Sequence, residues 1–188
     1  MLTVNTGSMF SGKSTLLISQ GEKHMKAGQR VLYVKPSFDN RYSEDEIVTH
    51  TGQKVRALSV DVEKPLIDQI RPVEFDVILI DEVQFFKKNL ADSVLELLYR
   101  KKKVYASGLD MDFKSDGFET TKELMAIADK VNKLKAICEG CEDDAVVTGK
   151  RAGVIDEGVI QLGAKETYIP LCRECYYKHF IKGAELHD

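Results

Sequence analysis

Leu2-Thr-Val-Asn-Thr6-Gly7-Ser8-Met9-Phe10-Ser11-Gly12-Lys13-Ser14-Thr15 is the stretch that decides the fold. Its first five residues read as a strand that stops at Gly7. From Lys13 the pattern turns helical as far as residue 27, with Gly28 placed as a C-terminal cap. Between strand and helix, Gly7 to Ser14 fits G-x-x-x-x-G-K-[ST]. The glycines let the backbone curl until successive N–H groups point inward at phosphate oxygens. The positive end of the helix adds to that attraction. Lys13 is placed to reach β- and γ-phosphates, and the Ser14 hydroxyl to ligate Mg²⁺. The segment predicts nucleotide binding and is silent on the reaction.

Outward from this loop, short β-type runs alternate with helical patterns. Residues 30–35 form a second strand ended by Pro36, and residues 38–51 form a polar loop leading into a strand near Val48. Residues 61–70 read as a short helix, in which Pro65 is awkward unless it lies in the first turn, and residues 75–80 read as a strand. Leu90, Val94, Leu97 and Leu98 share a helical face within residues 87–102, followed by a strand at 104–107. Leu124, Ile127, Ala128 and Val131 give residues 119–132 the same helical reading. This order predicts an α/β fold of the P-loop NTPase type, a parallel sheet with flanking helices.

Phe75-Asp-Val-Ile-Leu-Ile-Asp81-Glu82 is an apolar strand ending in two acids. Alternation along a strand would make the two side chains diverge. Asp81 is then placed to hold the Mg²⁺ shell and Glu82 to accept a proton from an attacking nucleophile. A solvated strand end is the bland alternative, and the acids alone do not say whether water or a substrate hydroxyl attacks.

Near Ala136 the character changes, which predicts one unit over residues 1–136 and a second over 137–188. The second holds all four cysteines, as Cys138-x-x-Cys141 and Cys172-x-x-Cys175. Four thiolates in two such pairs suit a closed, structural, tetrahedral Zn²⁺ site, with two disulfides as the alternative. The expectation is a small zinc-ribbon-like domain with β-runs at 145–148 and 159–162, pinning residues 162–168 as a lid over a ligand. Gly108-Leu-Asp-Met-Asp-Phe113 follows a sheet strand and falls at the carboxyl edge, where α/β folds bind ligands. Phe113 could stack on a planar base or belong to the core. The basic run at 100–103 reads as a helix end complementing its dipole. His24, His50, His179 and His187 have no ligand spacing.

The chain has 188 residues and 21.2 kDa, enough for one domain with a small appendage. Hydrophobic residues at 43% and charged residues at 30% exclude a disordered or fibrous chain. A net charge of −3 supplies no field toward nucleic acid or membrane, so neither is expected as a partner. Apolar runs such as 77–80 fall far short of the ~20 residues of a membrane helix. The first ten residues do not read as a signal peptide, and with so few cysteines the expected location is the cytoplasm.

Together these motifs resemble the type II thymidine kinases, small zinc-containing nucleoside kinases. The resemblance runs through residues 7–15, Asp39-x-Arg41-Tyr42, Asp81-Glu82-x-Gln84-Phe85-Phe86, Gly108 to Phe113, the four cysteines, and Gly163 to Tyr168. It implies transfer of the ATP γ-phosphate to the 5′-hydroxyl of thymidine, and less efficiently of deoxyuridine. By that likeness Gly7, Ser8, Met9, Phe10, Ser11, Gly12, Lys13, Ser14, Thr15, Asp81, Glu82, Val83 and Gln84 contact ATP. Glu82 is the base and Arg41 touches the phosphate path. Met9, Leu109, Phe113, Thr148, Gly163 and Tyr168 line the nucleoside pocket. A homotetramer and feedback inhibition by thymidine triphosphate are further implications. Ser8 departs from relatives that often have proline there, with little consequence expected because the loop's backbone donors remain. A motor or helicase ATPase and a non-enzymatic nucleotide-sensing zinc module are the rival classes. DNA-stimulated hydrolysis would favour the first, and the second leaves Glu82 and Phe113 without roles.

Overall fold

In the computed structural model, residues 1–38, 45–48, 52–87, 89–151 and 167–180 are described. Six strands form one all-parallel sheet: β1 (Leu2–Gly7), β2 (Val31–Pro36), β5 (Leu58–Val60), β6 (Val77–Ile80), β7 (Lys103–Gly108) and β8 (Lys130–Leu134). Their order is β5-β2-β6-β7-β1-β8. A separate antiparallel pair, β3 (Glu46–Val48) and β4 (Lys54–Arg56), precedes β5.

Alternation along the strands sorts the core into two faces. Ile78 and Ile80 of β6 join Leu2, Val4, Val104 and Ala106 against helices α2 (Asn89–Tyr99) and α3 (Glu119–Ile127). Val77 and Leu79 face the other way and join Tyr33 and Tyr105 against α1 (Lys13–Lys26), through Leu17 and Ile18. A β6 run that is buried on both sides reads as continuous apolar sequence for this reason.

Gly21 packs α1 directly against the sheet residue Tyr33. A Cβ there would lie 2.0 Å from Tyr33 Oη and 2.5 Å from its Cζ. The Tyr33 ring is buried and its hydroxyl donates to Ile18 O at 3.1 Å, so it cannot swing away freely. Gly21→Ala gains up to about 1 kcal/mol in helix propensity. Overpacking against a fixed ring costs about 1–3 kcal/mol, so the net effect expected is destabilising. Urea denaturation checks this, and a midpoint at or above the parent's would refute the close-packing argument.

Two sequence expectations need correction. Residues 119–132 are not one helix: α3 stops at Ile127, and Val131 and Asn132 lie in β8, paired with Val4 and Asn5. β8 is a mostly exposed edge strand, so no apolar run marks it, and Val131 meets the helical spacing by coincidence. Residues 61–70 form only a 3₁₀ turn, Leu66–Gln69, because Pro65 is extended before it and Gln69 folds back on Asp61. The basic run closes α2 as expected: Arg100 N donates to Glu96 O at 3.0 Å, Lys101 N to Leu98 O at 2.9 Å and Lys102 N to Leu97 O at 2.9 Å, and only Lys103 already belongs to β7.

The chain after β8 builds β9 (Ala136–Ile137), β10 (Asp144–Ala145), β11 (Val147–Lys150), β12 (Tyr168–Leu171) and α4 (Arg173–Phe180). The expected 145–148 run is split between β10 and β11, and the run expected at 159–162 lies outside the described residues. Ala136, Ala145, Val147, Ile169, Leu171 and Tyr176 form a third apolar cluster here.

Candidate active site

Three neighbouring strands, β6, β7 and β1, deliver their carboxyl ends to one edge of the sheet, beside the point where the chain order reverses. β1 brings the glycine-rich loop. Gly7 (φ 140°) has no room for a side chain, because a Cβ would lie 2.2 Å from Leu134 O of β8. Phe10 (φ 65°) and Gly12 (φ 81°) alternate into the left-handed region, the turn that gathers backbone N–H groups into an anion-binding nest. Gly12 also begins α1 with no side-chain cap and no acidic residue in the first turn. The positive helix end is therefore left for an external anion. Lys13 Nζ donates to Ser8 O at 2.7 Å, lying across its own loop where a phosphate would sit within reach.

β6 brings the acids, but not as alternation suggests. The strand ends at Ile80, and Glu82 takes a left-handed conformation (φ 53°, ψ 44°), so period-two divergence does not apply. Glu82 N donates to Asp81 Oδ1 at 3.0 Å. Burial and the Glu82 charge push the Asp81 carboxyl up to about 7, against the opposing pull of the Ser14 hydroxyl and the Lys13 ammonium. Asp81, Glu82, Ser14 and Lys13 thus form one electrostatic unit. A buried carboxylate beside a second acid and a hydroxyl is a donor set that fits a hard cation, whose charge would offset the cost of ionising Asp81.

β7 brings Leu109 and Phe113. Leu109 N donates to Gln84 Oε1 at 3.0 Å, and Leu109 O accepts from Thr121 Oγ1 at 2.8 Å. Phe113 O accepts from Tyr176 Oη at 2.8 Å, and Lys150 Nζ lies 5.0 Å from the Phe113 ring centre. Across the site, Phe38 meets Phe85 edge to face at 5.2 Å.

The cysteine-bearing part closes the other side. Met9 N donates to Thr148 Oγ1 at 2.9 Å, and Phe10 packs against the third apolar cluster. Thr148 is buried, so its hydroxyl holds the glycine-rich loop. Of the expected pocket residues, Met9 and Thr148 are joined directly, Leu109 follows β7 beside β1, and Tyr168 pairs with Lys150, whose Nζ lies by the Phe113 ring. Arg41 and Gly163 lie outside the described residues, as does most of the expected lid.

The four cysteines converge, with all four Sγ atoms within 4.8 Å of one another. Cys141 and Cys172 Sγ are 3.7 Å apart, close to the edge of about 3.8 Å that a tetrahedron of 2.3 Å Zn–S bonds has. All four are free thiols, so the disulfide alternative is not formed. Gly140 N and Cys175 N donate to Cys138 and Cys172 Sγ, stabilising thiolates. Hydrogen bonds that its own S–H donates to Cys141 and Cys172 hold the Cys175 thiol in its neutral form and push it up to about 12. Four clustered thiols do not ionise together without a cation, and the donor set fits zinc.

A model of the family described as thymidine kinase matches residues 1–176. A thymidine kinase from Pseudothermotoga lettingae is 42% identical over 179 residues, covering 94% of this chain and 95% of the relative. The chain belongs to the thymidine kinase family. Among solved structures it is similar to a replication initiator DnaA bound to AMPPCP and single-stranded DNA, at 19% identity and a TM-score of 0.44. That match covers 71% of this chain and 40% of the other. Domain III of the Thermotoga maritima DnaA gives 15% identity, a TM-score of 0.42, and coverage of 72% and 55%. The sheet is established by its own strand pairing, independently of these partial matches.

Two groups of contacts have no sequence signal. Thr120 and Thr121 use their hydroxyls to hold Phe86 O and Leu109 O, and Tyr176 holds Phe113 O. Nothing in residue type or spacing distinguishes them from ordinary helix residues.

Proposed function

We propose that the chain transfers the γ-phosphoryl group of ATP to the 5′-hydroxyl of thymidine. Family membership supports the activity, and the juxtaposition of Lys13, Ser14, Asp81 and Glu82 at one sheet edge supports the division of labour. In this reading the loop N–H groups and Lys13 hold the phosphates and Glu82 faces the incoming hydroxyl. The 5′-oxygen bonds to Pγ, the bond from Pγ to the bridging oxygen breaks, and the hydroxyl proton passes to Glu82 as ADP leaves. Ser14 and Asp81 would hold Mg²⁺, which neutralises charge on the β- and γ-phosphates. Val83 and the backbone of Gln84 complete the ATP contacts, and Arg41 touches the phosphate path. Met9, Leu109, Phe113, Thr148, Gly163 and Tyr168 form the nucleoside pocket.

The proposed units are residues 1–136 and 137–188, the second held by structural zinc. The purified protein is expected to carry one zinc per chain. Cys138→Ser and Cys175→Ser are expected to lower stability, because metal-binding energy here is folding energy. ATP affinity should fall with it, since Thr148 and the third cluster hold Met9 and Phe10. Metal analysis and thermal melting check this. Zinc-free protein with parental stability and ATP affinity would refute it.

A homotetramer, feedback inhibition by thymidine triphosphate and a cytoplasmic location complete the proposal. Exposed Leu95 and Tyr99, one helical turn apart on α2, supply apolar surface for association. No helix among the described residues is long and apolar enough to cross a membrane, and the free thiols fit a reducing compartment. A panel of nucleosides incubated with ATP and Mg²⁺ tests the proposal by product mass. Thymidine should gain one phosphoryl group, and a panel without phosphorylated product would refute the proposal.

A further inference from the structure

We infer that Gln84 is a positioning residue for Glu82, an inference that rests on the reading of Glu82 as the base. Gln84 is buried in the 3₁₀ turn Val83–Phe85, and its amide is committed at both ends. Oε1 accepts from Leu109 N at 3.0 Å, and Nε2 donates to Glu82 Oε2. The first contact fixes the second. A backbone N–H can only donate, so the amide oxygen must face Leu109 and the NH₂ must face the carboxylate.

The surroundings hold this amide in place. A Cβ on Gly108 would lie 2.6 Å from Gln84 Oε1 and 2.7 Å from Val83 Cγ2, so the end of β7 has room for the amide only as glycine. Thr120 Oγ1 donates to Phe86 O at 2.6 Å and Thr121 Oγ1 to Leu109 O at 2.8 Å. Helix α3 therefore anchors the segments on both sides of Gln84. What the amide holds is a residue in need of holding. Glu82 is a non-glycine residue at φ 53°, a conformation that persists only where its neighbours determine it. Fixing one carboxylate oxygen sets the plane of the group, and the same amide ties it to Leu109 in the proposed nucleoside pocket. The base and the wall of the pocket then move as one piece.

Steady-state kinetics of the full chain test this, with Gln84→Met, Gln84→Glu, Glu82→Gln and the double variant Glu82→Gln/Gln84→Met. Gln84→Met keeps the volume and removes both hydrogen bonds. Gln84→Glu keeps an acceptor for Leu109 N while replacing the donor to Glu82 with a like charge, so loss of folding in one variant leaves the other informative. Each single Gln84 variant is expected to lower kcat by about 10–100-fold, the scale of a misplaced catalytic group. KM for ATP and thymidine should stay within about threefold of the parent. In the Glu82→Gln background Gln84→Met should add less than about twofold, because residues acting as a unit are not additive. Parental kcat in both Gln84 variants beside an impaired Glu82→Gln overturns this inference alone. So does a full multiplicative loss in the double variant, or a rise in KM that accounts for the defect. Parental turnover in Glu82→Gln overturns the base assignment and this inference with it.

Discussion

Glu82→Gln should turn over thymidine about 10²–10⁴-fold more slowly than the parent, the usual contribution of a positioned general base. That corresponds to roughly 2.7–5.5 kcal/mol of transition-state stabilisation. ATP affinity should barely change. The phosphates are held by the loop and Lys13, and the amide is close to the carboxylate in size. Lys13→Ala should differ by damaging affinity and turnover together, because Nζ reaches the phosphates in ground state and transition state alike. Calorimetric ATP binding beside steady-state turnover separates the two patterns. A Glu82→Gln protein nearly as active as the parent would remove the base assignment.

The second large effect concerns the nucleobase. Acting as a lid, residues 162–168 would offer backbone N–H and C=O groups to the O4 acceptor and N3–H donor of thymine. Cytosine presents an amino donor and a bare N3 acceptor on the same edge, so buried polar groups would be left unpaired. In a site built for the other pattern this costs a factor of about 10⁴ or more. Deoxyuridine lacks only the methyl group, worth about 1–3 kcal/mol in an apolar pocket. In the proposed pocket Met9 would supply the apolar contact for this methyl group. Deoxycytidine and purine nucleosides should therefore be rejected and deoxyuridine used at reduced efficiency. Comparing kcat/KM for thymidine, deoxyuridine and deoxycytidine checks this. Comparable values for deoxycytidine and thymidine would mean the base is not read in this way.

How much of this was legible in sequence follows from the range of the interactions involved. β1, the glycine-rich loop and α1 are encoded within a short window: an apolar run, two glycines at fixed spacing and an uncapped helix start. The β6 strand and its two acids are equally local. The convergence of the cysteines was legible too, since two C-x-x-C pairs have few ways to be satisfied together. The backbone at Glu82 was not. The left-handed glutamate sits beside the close approach of Val83 and Gln84 to Gly108, and no local pattern announces it. β8 was missed because an exposed edge strand carries little hydrophobic signal. The bond from Met9 to Thr148 spans 139 residues, so motif reading could name both partners without showing that the second holds the first. The Gln84 amide belongs to the same class. Its residue type suggests a polar contact, and only the fold shows which one.

The most direct test of the central claim is to follow ADP release and nucleoside product together, with purified protein, ATP and Mg²⁺, with and without thymidine. Transfer from Pγ to the 5′-oxygen at this site requires ADP and thymidine monophosphate in equal amounts, with little ADP formed when thymidine is absent. ADP released at the same rate without thymidine, or stimulated by DNA in its place, would contradict it and make the site that of an ATPase.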